Sequence, residues 1–228
     1  MTFKTFDPIW EEKYSSGHSQ RYPWDAIVSF IFRNAPPHRP RNEVRILEVG
    51  CGTGSNLWFA AREGFQVAGI DGSESAIDYA KQRFQQAGLT GDLRVADFTN
   101  LPFEDGYFDL IIDRGALVCC GFSASRQAIA EIHRVSRPRS KFFFNPYSDR
   151  HSSYLGGKTK EDGLVDDISA GTLIGAGQLC FYGRRDVEMS IAIGWNILSI
   201  EHVEIANVTV SEQTVHAEWR VLAEKKFD

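Results

Sequence analysis

One stretch of the sequence concentrates residues suited to holding a small ligand: Ile46-Leu47-Glu48-Val49-Gly50-Cys51-Gly52-Thr53-Gly54-Ser55-Asn56. A carboxylate leads three glycines at alternate positions, just where an apolar run ends. Glycine has no Cβ, so such a turn brings backbone amides close to a ligand. The spacing is GxGxG. Position 55 is serine, so the third glycine of the dinucleotide-binding GxGxxG turn, which cradles a pyrophosphate, is missing. A second apolar run ends on Asp71-Gly72-Ser73. A carboxylate at that place can accept both hydroxyls of a ribose. A third run ends on Asp97-Phe98, and a fourth on Asp113-Arg114.

These residues need a scaffold that brings the ends of several strands to one edge, and the hydrophobic pattern supplies it. Short apolar runs at 44–49, 66–70, 93–96, 108–112 and 141–144 read as strands. Helical periodicity fills the gaps: 55–62 closed by Gly64, a helix N-capped by Ser73 with Ile77, Ala80 and Phe84 on one stripe, and 125–135 stopped before Pro138. Strands alternating with helices imply a parallel sheet. Upstream, residues 24–33 read as a helix, and Pro36, Pro37 and Pro40 make 35–42 a linker. Near the C-terminus, 186–192 reads as a helix. Residues 197–208 and 216–223 then read as strands whose short connection, 209–215, permits only a hairpin. Between 145 and 182 the pattern dissolves among glycines and polar residues, as in a lid over a site.

At 228 residues, 43% of them hydrophobic, the chain can bury a core without covalent staples. The net charge of −5 gives no basic footprint for nucleic acid or an anionic membrane. Neither a secretion signal at residues 1–12 nor a run long enough for a membrane span is legible, so the expected compartment is the cytoplasm. The four cysteines, Cys51, Cys119, Cys120 and Cys180, lack metal-ligand spacing, and no metal site is expected.

The run from Glu48 to Gly54 resembles motif I of the class I S-adenosylmethionine-dependent methyltransferases, and residues 44–145 follow the methyltransferase domain of that family. Asp113-Arg114-Gly115-Ala116-Leu117 is similar to a run in thiopurine S-methyltransferase. Ile9-Trp10-Glu11-Glu12-Lys13-Tyr14-Ser15-Ser16-Gly17 resembles the start of the same group. The resemblance implies an α/β, Rossmann-like, seven-stranded and mostly parallel sheet with a C-terminal antiparallel hairpin and helices on both faces. It also implies S-adenosyl-L-methionine as cofactor and S-adenosyl-L-homocysteine as product.

Cofactor-binding roles then fall on the motif and its surroundings. Glu48 would orient the loop or the ammonium group, with Gly50, Cys51, Gly52, Thr53, Gly54 and Asn56 packing on the methionyl part. Asp71, Gly72 and Ser73 would take the ribose, and Asp97 and Phe98 the adenine. Asp113 and Arg114 lie at the reacting edge, and Trp10, Tyr14 and Arg21 close over the pocket. Two departures stand out. Pro138-Arg139-Ser140 replaces the common Pro-Gly-Gly, and Asn145-Pro146-Tyr147, which resembles the NPPY of amine-methylating enzymes, follows the fifth predicted strand rather than the fourth.

The domain plan is a single unit: an N-terminal helical cap and linker (1–42), a cofactor-binding core (43–145), a lid-like insertion (146–182), and a C-terminal helix and hairpin (183–228). The expected reaction is methyl transfer to a small-molecule acceptor, a sugar or other hydroxyl. A binding protein without turnover and an NAD-dependent oxidoreductase are the alternatives. A hydroxyl acceptor needs a base, for which His18, Tyr147, Asp149 and His151 are the loop candidates. His133, His202 and His216, on predicted helix or strand faces, read as structural.

Overall fold

The computed structural model describes residues 5–210 and 214–226. In chain order the elements are α1 (Ile9–Ser15), α2 (Asp25–Asn34), β1 (Arg45–Val49), α3 (Ser55–Arg62), β2 (Gln66–Asp71), α4 (Glu74–Gln86), β3 (Asp92–Val95), β4 (Phe108–Arg114) and α5 (Phe122–Val135). There follow β5 (Ser136–Asn145), α6 (Ser152–Leu155), β6 (Lys158–Thr159), β7 (Leu164–Asp166), β8 (Leu179–Cys180), α7 (Arg184–Ser190), β9 (Trp195–Ala206) and β10 (Val215–Lys225).

Seven strands form one sheet in the order β3-β2-β1-β4-β5-β10-β9. The pairs from β3 to β5 are parallel, and β10 runs antiparallel to both β5 and β9. The chain's last strand is therefore inserted between β5 and the edge. Helices cover both faces, which is why β1, β2 and β4 are near-continuous apolar runs rather than alternating ones. One buried cluster joins Leu47, Ile111, Phe142 and Phe144 to Ile129 and Ile132 of α5. The opposite cluster joins Ile46, Leu110 and Ile112 to Ile27 and Ile31 of α2, Leu57 of α3 and Ile77 and Phe84 of α4.

Local chemistry sets the starts of these elements. Ser73 caps α4, its Oγ accepting from the Ala76 amide at 3.0 Å. Gly54 opens α3 from the left-handed region, at φ 72°.

Two regions differ from the sequence expectation. β5 begins at Ser136 rather than near residue 141. Its register against β4 jumps from Phe108↔Ser136 to Leu110↔Lys141, which lets Pro138 and the left-handed Arg139 (φ 63°) bulge out of the ladder. Residues 146–182 hold α6 and a small antiparallel sheet, β6-β7-β8. Val165, Leu179, Cys180, Phe181 and Tyr182 from this segment are buried in the main core. Strands of two or three residues are shorter than any window in which periodicity can register. Of the expected hairpin turn and N-terminal segment, residues 211–213 and 1–4 lie outside the described residues.

Candidate active site

A cavity of about 710 Å³ opens at the carboxyl ends of β1, β2 and β4, the edge where open α/β sheets take their ligands. Its floor is the turn after β1. Gly50, Gly52 and Gly54 all have positive φ (65°, 50° and 72°). A Cβ on Gly50 would stand 2.1 Å from that of Ala116, and one on Gly52 would stand 2.7 Å from the Tyr14 hydroxyl. The turn therefore needs glycine twice over, for its backbone and for its neighbours.

Glu48 is 2% exposed and lines this cavity. Its Oε1 accepts from Asn56 Nδ2 at 2.7 Å, while Oε2 is buried with no hydrogen-bond partner. Burial, opposed by the Asn56 hydrogen bond, pushes its carboxyl up to about 8. The Oδ1 of Asn56 in turn accepts from the Trp24 amide at 3.0 Å, and Thr53 Oγ1 accepts from the Gln20 amide at 3.2 Å. Residues 20–24 are thereby clamped onto the turn. Arg83 adds hydrogen bonds to the carbonyls of Gln20 and Arg21.

Asp71, at the end of β2, reaches back to the same turn. Its Oδ2 accepts from the Gly52 amide at 2.8 Å and its Oδ1 from the Ser73 amide at 2.9 Å. Burial raises its carboxyl above the usual range against those two amides. Asp97 faces the cavity and is already engaged: Thr5 Oγ1 donates to Oδ2 at 2.5 Å, and the Thr99 amide and hydroxyl donate to Oδ1 at 2.7 Å each. Partial burial pulls its carboxyl up, but these hydrogen bonds hold it below the ordinary value. Phe98 lines the cavity while its ring belongs to the core. Trp10, Tyr14 and His18 line the opposite wall as a ring cluster, with centroids 5.6–6.2 Å apart.

Several sequence candidates fall elsewhere. Asp113 is fully buried behind the turn. Its Oδ1 accepts from the amides of Ala116 and Leu117 at 2.9 and 3.0 Å, so it shapes the loop rather than facing the cavity. Burial pushes it up to about 6. Ser73 is spent on capping α4 and on Glu11, Gly54 packs on Ala80, and the Arg21 guanidinium lies over Tyr22. Asp149 is exposed and apart from the cavity.

The far end of the cavity is built by β10 and residues 147–179. Arg114, Tyr147, Thr172, Leu173 and His216 line it, with His151 one layer behind. His216, expected to be structural, is thus a cavity residue. β10 runs antiparallel, so its first residues meet the carboxyl ends of the parallel strands. Glu218 is 3% exposed, 3.4 Å from Arg114 Nη2, 2.8 Å from Arg220 Nε and 3.4 Å from His216 Nε2. Burial alone would raise its carboxyl, but the His216 hydrogen bond and the Arg114 and Arg220 guanidiniums hold it down at about 2. Nothing in the local sequence of Glu218 singles it out. Only the strand pairing, including the Tyr147↔Glu218 bridge, brings it to the site.

Residues 46–139 match the sequence profile of a methyltransferase domain. The chain is similar to a putative methyltransferase of Bacillus subtilis, 27% identical over 161 residues (68% of this chain and 57% of the relative). It is 32% identical over 115 residues (49% and 40%) to the malonyl-[acyl-carrier protein] O-methyltransferase of Erwinia pyrifoliae. The alignments span only about half the length of these curated relatives. Among solved structures, the fold resembles a SAM-dependent methyltransferase of Methanosarcina mazei (TM-score 0.71, 19% identity, 91% of this chain and 100% of the other). It also resembles a protein solved in work on the conversion of a disulfide bond into a thioacetal group during echinomycin biosynthesis (TM-score 0.71, 24% identity, 98% and 94%). The profile match and the fold agree: residues 46–139, which include the motif turn, are similar to a methyltransferase domain, and the fold around them is shared with these solved structures.

Proposed function

We propose that the chain is an enzyme that binds S-adenosyl-L-methionine in this cavity and transfers its methyl group to a small-molecule hydroxyl, leaving S-adenosyl-L-homocysteine. The observation that carries the reading is the buried, unpartnered Oε2 of Glu48 beside a glycine turn and a second carboxylate, Asp71, in one cavity. An unpaired buried carboxylate oxygen is costly, and a ligand with a cationic amine at that point would satisfy it. Among the described residues the donor set fits the cofactor. Glu48 is suited to the ammonium group, the turn at Gly50 and Gly52 to the methionyl chain, and Asp71 to the ribose diol. Asp97 and Phe98 suit the adenine, with Asp97 Oδ2 shared with Thr5, since a carboxylate oxygen can accept more than once.

A sulfonium methyl donor is already activated, so the protein's contribution is to position the acceptor and exclude water. The cavity volume of about 710 Å³ is in the range of small-ligand pockets, and the wall formed by Thr172, Leu173, Ala176 and Leu179 supports the role of residues 146–182 as a cover. Four free cysteines fit a reducing compartment such as the cytoplasm. Among the described residues no helix is long and apolar enough to cross a membrane. The test is a turnover screen with methyl-labelled S-adenosylmethionine against hydroxyl, thiol, amine and carboxylate acceptors. Label transfer to a hydroxyl is expected, and transfer to none of the four classes would contradict the reading.

A further inference from the structure

The far end of the cavity contains a chain of hydrogen-bonding groups with one consistent direction. The Ser153 amide donates to His151 Nδ1 at 3.0 Å, so a neutral His151 carries its proton on Nε2. That nitrogen stands 3.3 Å from His216 Nδ1 and 3.2 Å from Thr172 Oγ1. Burial, with His216 beside it, lowers His151 to about 4, so it is neutral at physiological pH and donates through Nε2. His216, receiving at Nδ1, carries its own proton on Nε2 and donates it to Glu218 Oε2 at 3.4 Å. The chain thus begins on a backbone amide and ends on a buried carboxylate that Arg114 and Arg220 keep ionised. Among the described residues, Tyr147 also faces His216, its ring centroid 5.8 Å away.

We infer that His216 is the general base of the transfer, poised by Glu218, and that the acceptor is a weakly acidic hydroxyl of the phenolic type. This rests on the cofactor reading above. His151 Nε2–H has two partners within reach. When it turns to Thr172, which also lines the cavity, Nδ1 of His216 is free to accept. The acceptor's O–H bond then breaks and its proton passes to His216 Nδ1. The electron pair left on oxygen forms the new bond to the methyl carbon as the carbon–sulfur pair returns to sulfur. Glu218 faces the imidazolium that results, in the arrangement of a base backed by a carboxylate.

The hydroxyl class follows from the base and the walls. Histidine titrates nearest neutrality. A phenol, with a pKa of about 10, is within reach of such a base, whereas an alcohol is a much weaker acid. Tyr147 and Leu173, with Trp24 under the Arg114 guanidinium, line the acceptor end with apolar surface for a ring.

The test uses 4-nitrophenol, whose phenolate absorbs visibly, titrated into the protein with and without S-adenosylhomocysteine at a pH below the probe's own pKa. Wild type should bind the probe as the phenolate, lowering its apparent pKa by at least about one unit, a tenfold shift in ionisation. His216→Gln should abolish the ionisation while binding S-adenosylhomocysteine as wild type does. Thr172→Val, which removes the alternative partner of His151, should reduce the ionisation and provides a second variant if the first is unstable. A probe that fails to bind, binds unionised to wild type, or stays ionised in His216→Gln would overturn the inference; the last outcome would assign the effect to Arg114. The arm without S-adenosylhomocysteine reads the histidine pair by itself. Failure of the nucleoside to bind therefore counts against the cofactor reading alone.

Discussion

Replacing Glu48 by Gln should remove a proton-linked step from ligand binding. In the free protein, burial holds this carboxyl at about 8, against an ordinary 4.5, with Oε2 unpartnered. The unfolded chain loses the proton near pH 4.5 and the folded chain keeps it to about 8. The folded state therefore loses stability across that window at about 1.4 kcal/mol per pH unit, on the order of 5 kcal/mol in all. Asp113, raised to about 6, adds a slope of the same sign at lower pH. A bound cation beside Oε2 reverses the situation, because the complex needs the ionised form. Below about pH 8, each unit of falling pH should then weaken S-adenosylhomocysteine by about tenfold, and binding near neutrality should release close to one proton. Calorimetry in buffers of different ionisation enthalpy counts that proton, and melting curves from about pH 5 to 8 read the stability slope. Glu48→Gln should flatten the binding profile and, above about pH 6, the stability slope, leaving the Asp113 contribution below that. Wild-type binding that releases no proton, or a Glu48→Gln variant with an unchanged pH profile, would refute the assignment of Glu48 to the cationic end of the ligand.

Asp71→Ala should weaken S-adenosylhomocysteine by roughly 2–4 kcal/mol, at about 1.5–3 kcal/mol per hydrogen bond to a charged acceptor less partial replacement by water, as read by titration calorimetry. Part of that loss will come from the freed Gly52 and Ser73 amides. Gly50→Ala should abolish binding, since its Cβ would stand 2.1 Å from that of Ala116, and a lowered melting temperature should accompany the loss. Leu179→Ala, in the segment that lines the cavity, should cost about 2–5 kcal/mol of unfolding free energy in denaturant titrations, as for other buried leucines. A loss below about 0.5 kcal/mol would show that the segment lies on the surface.

The carboxyl-end residues of β1 and β2 were legible because each ends an apolar run on a chemically distinctive residue within a short window. Glu48, the glycine turn and Asp71 all meet in the cavity for that reason. The parallel core of the sheet followed from the alternation of elements, and the antiparallel β10 from a connection too short to cross over. What stayed hidden depends on contacts distant in sequence. Asp113 sits at a strand end like Asp71, but the turn at Ala116 folds back onto its carboxylate and takes it out of the cavity. Residues 146–182 read as patternless because strands of two or three residues carry no period, yet Tyr182 is fully buried and donates to Ser125 Oγ at 2.8 Å. His216 and Glu218 alternate with core residues along β10, and in sequence they look like any half-buried strand. Only their position at the strand's start, opposite Tyr147, turns them toward the site.

The central claim is that this cavity belongs to S-adenosylmethionine chemistry, and titration calorimetry of the full chain with S-adenosylhomocysteine and, separately, with NADH tests it most directly. S-adenosylhomocysteine should bind saturably at one site and raise the melting temperature by mass action, while NADH does neither. Saturable binding of NADH with no response to S-adenosylhomocysteine would contradict the account.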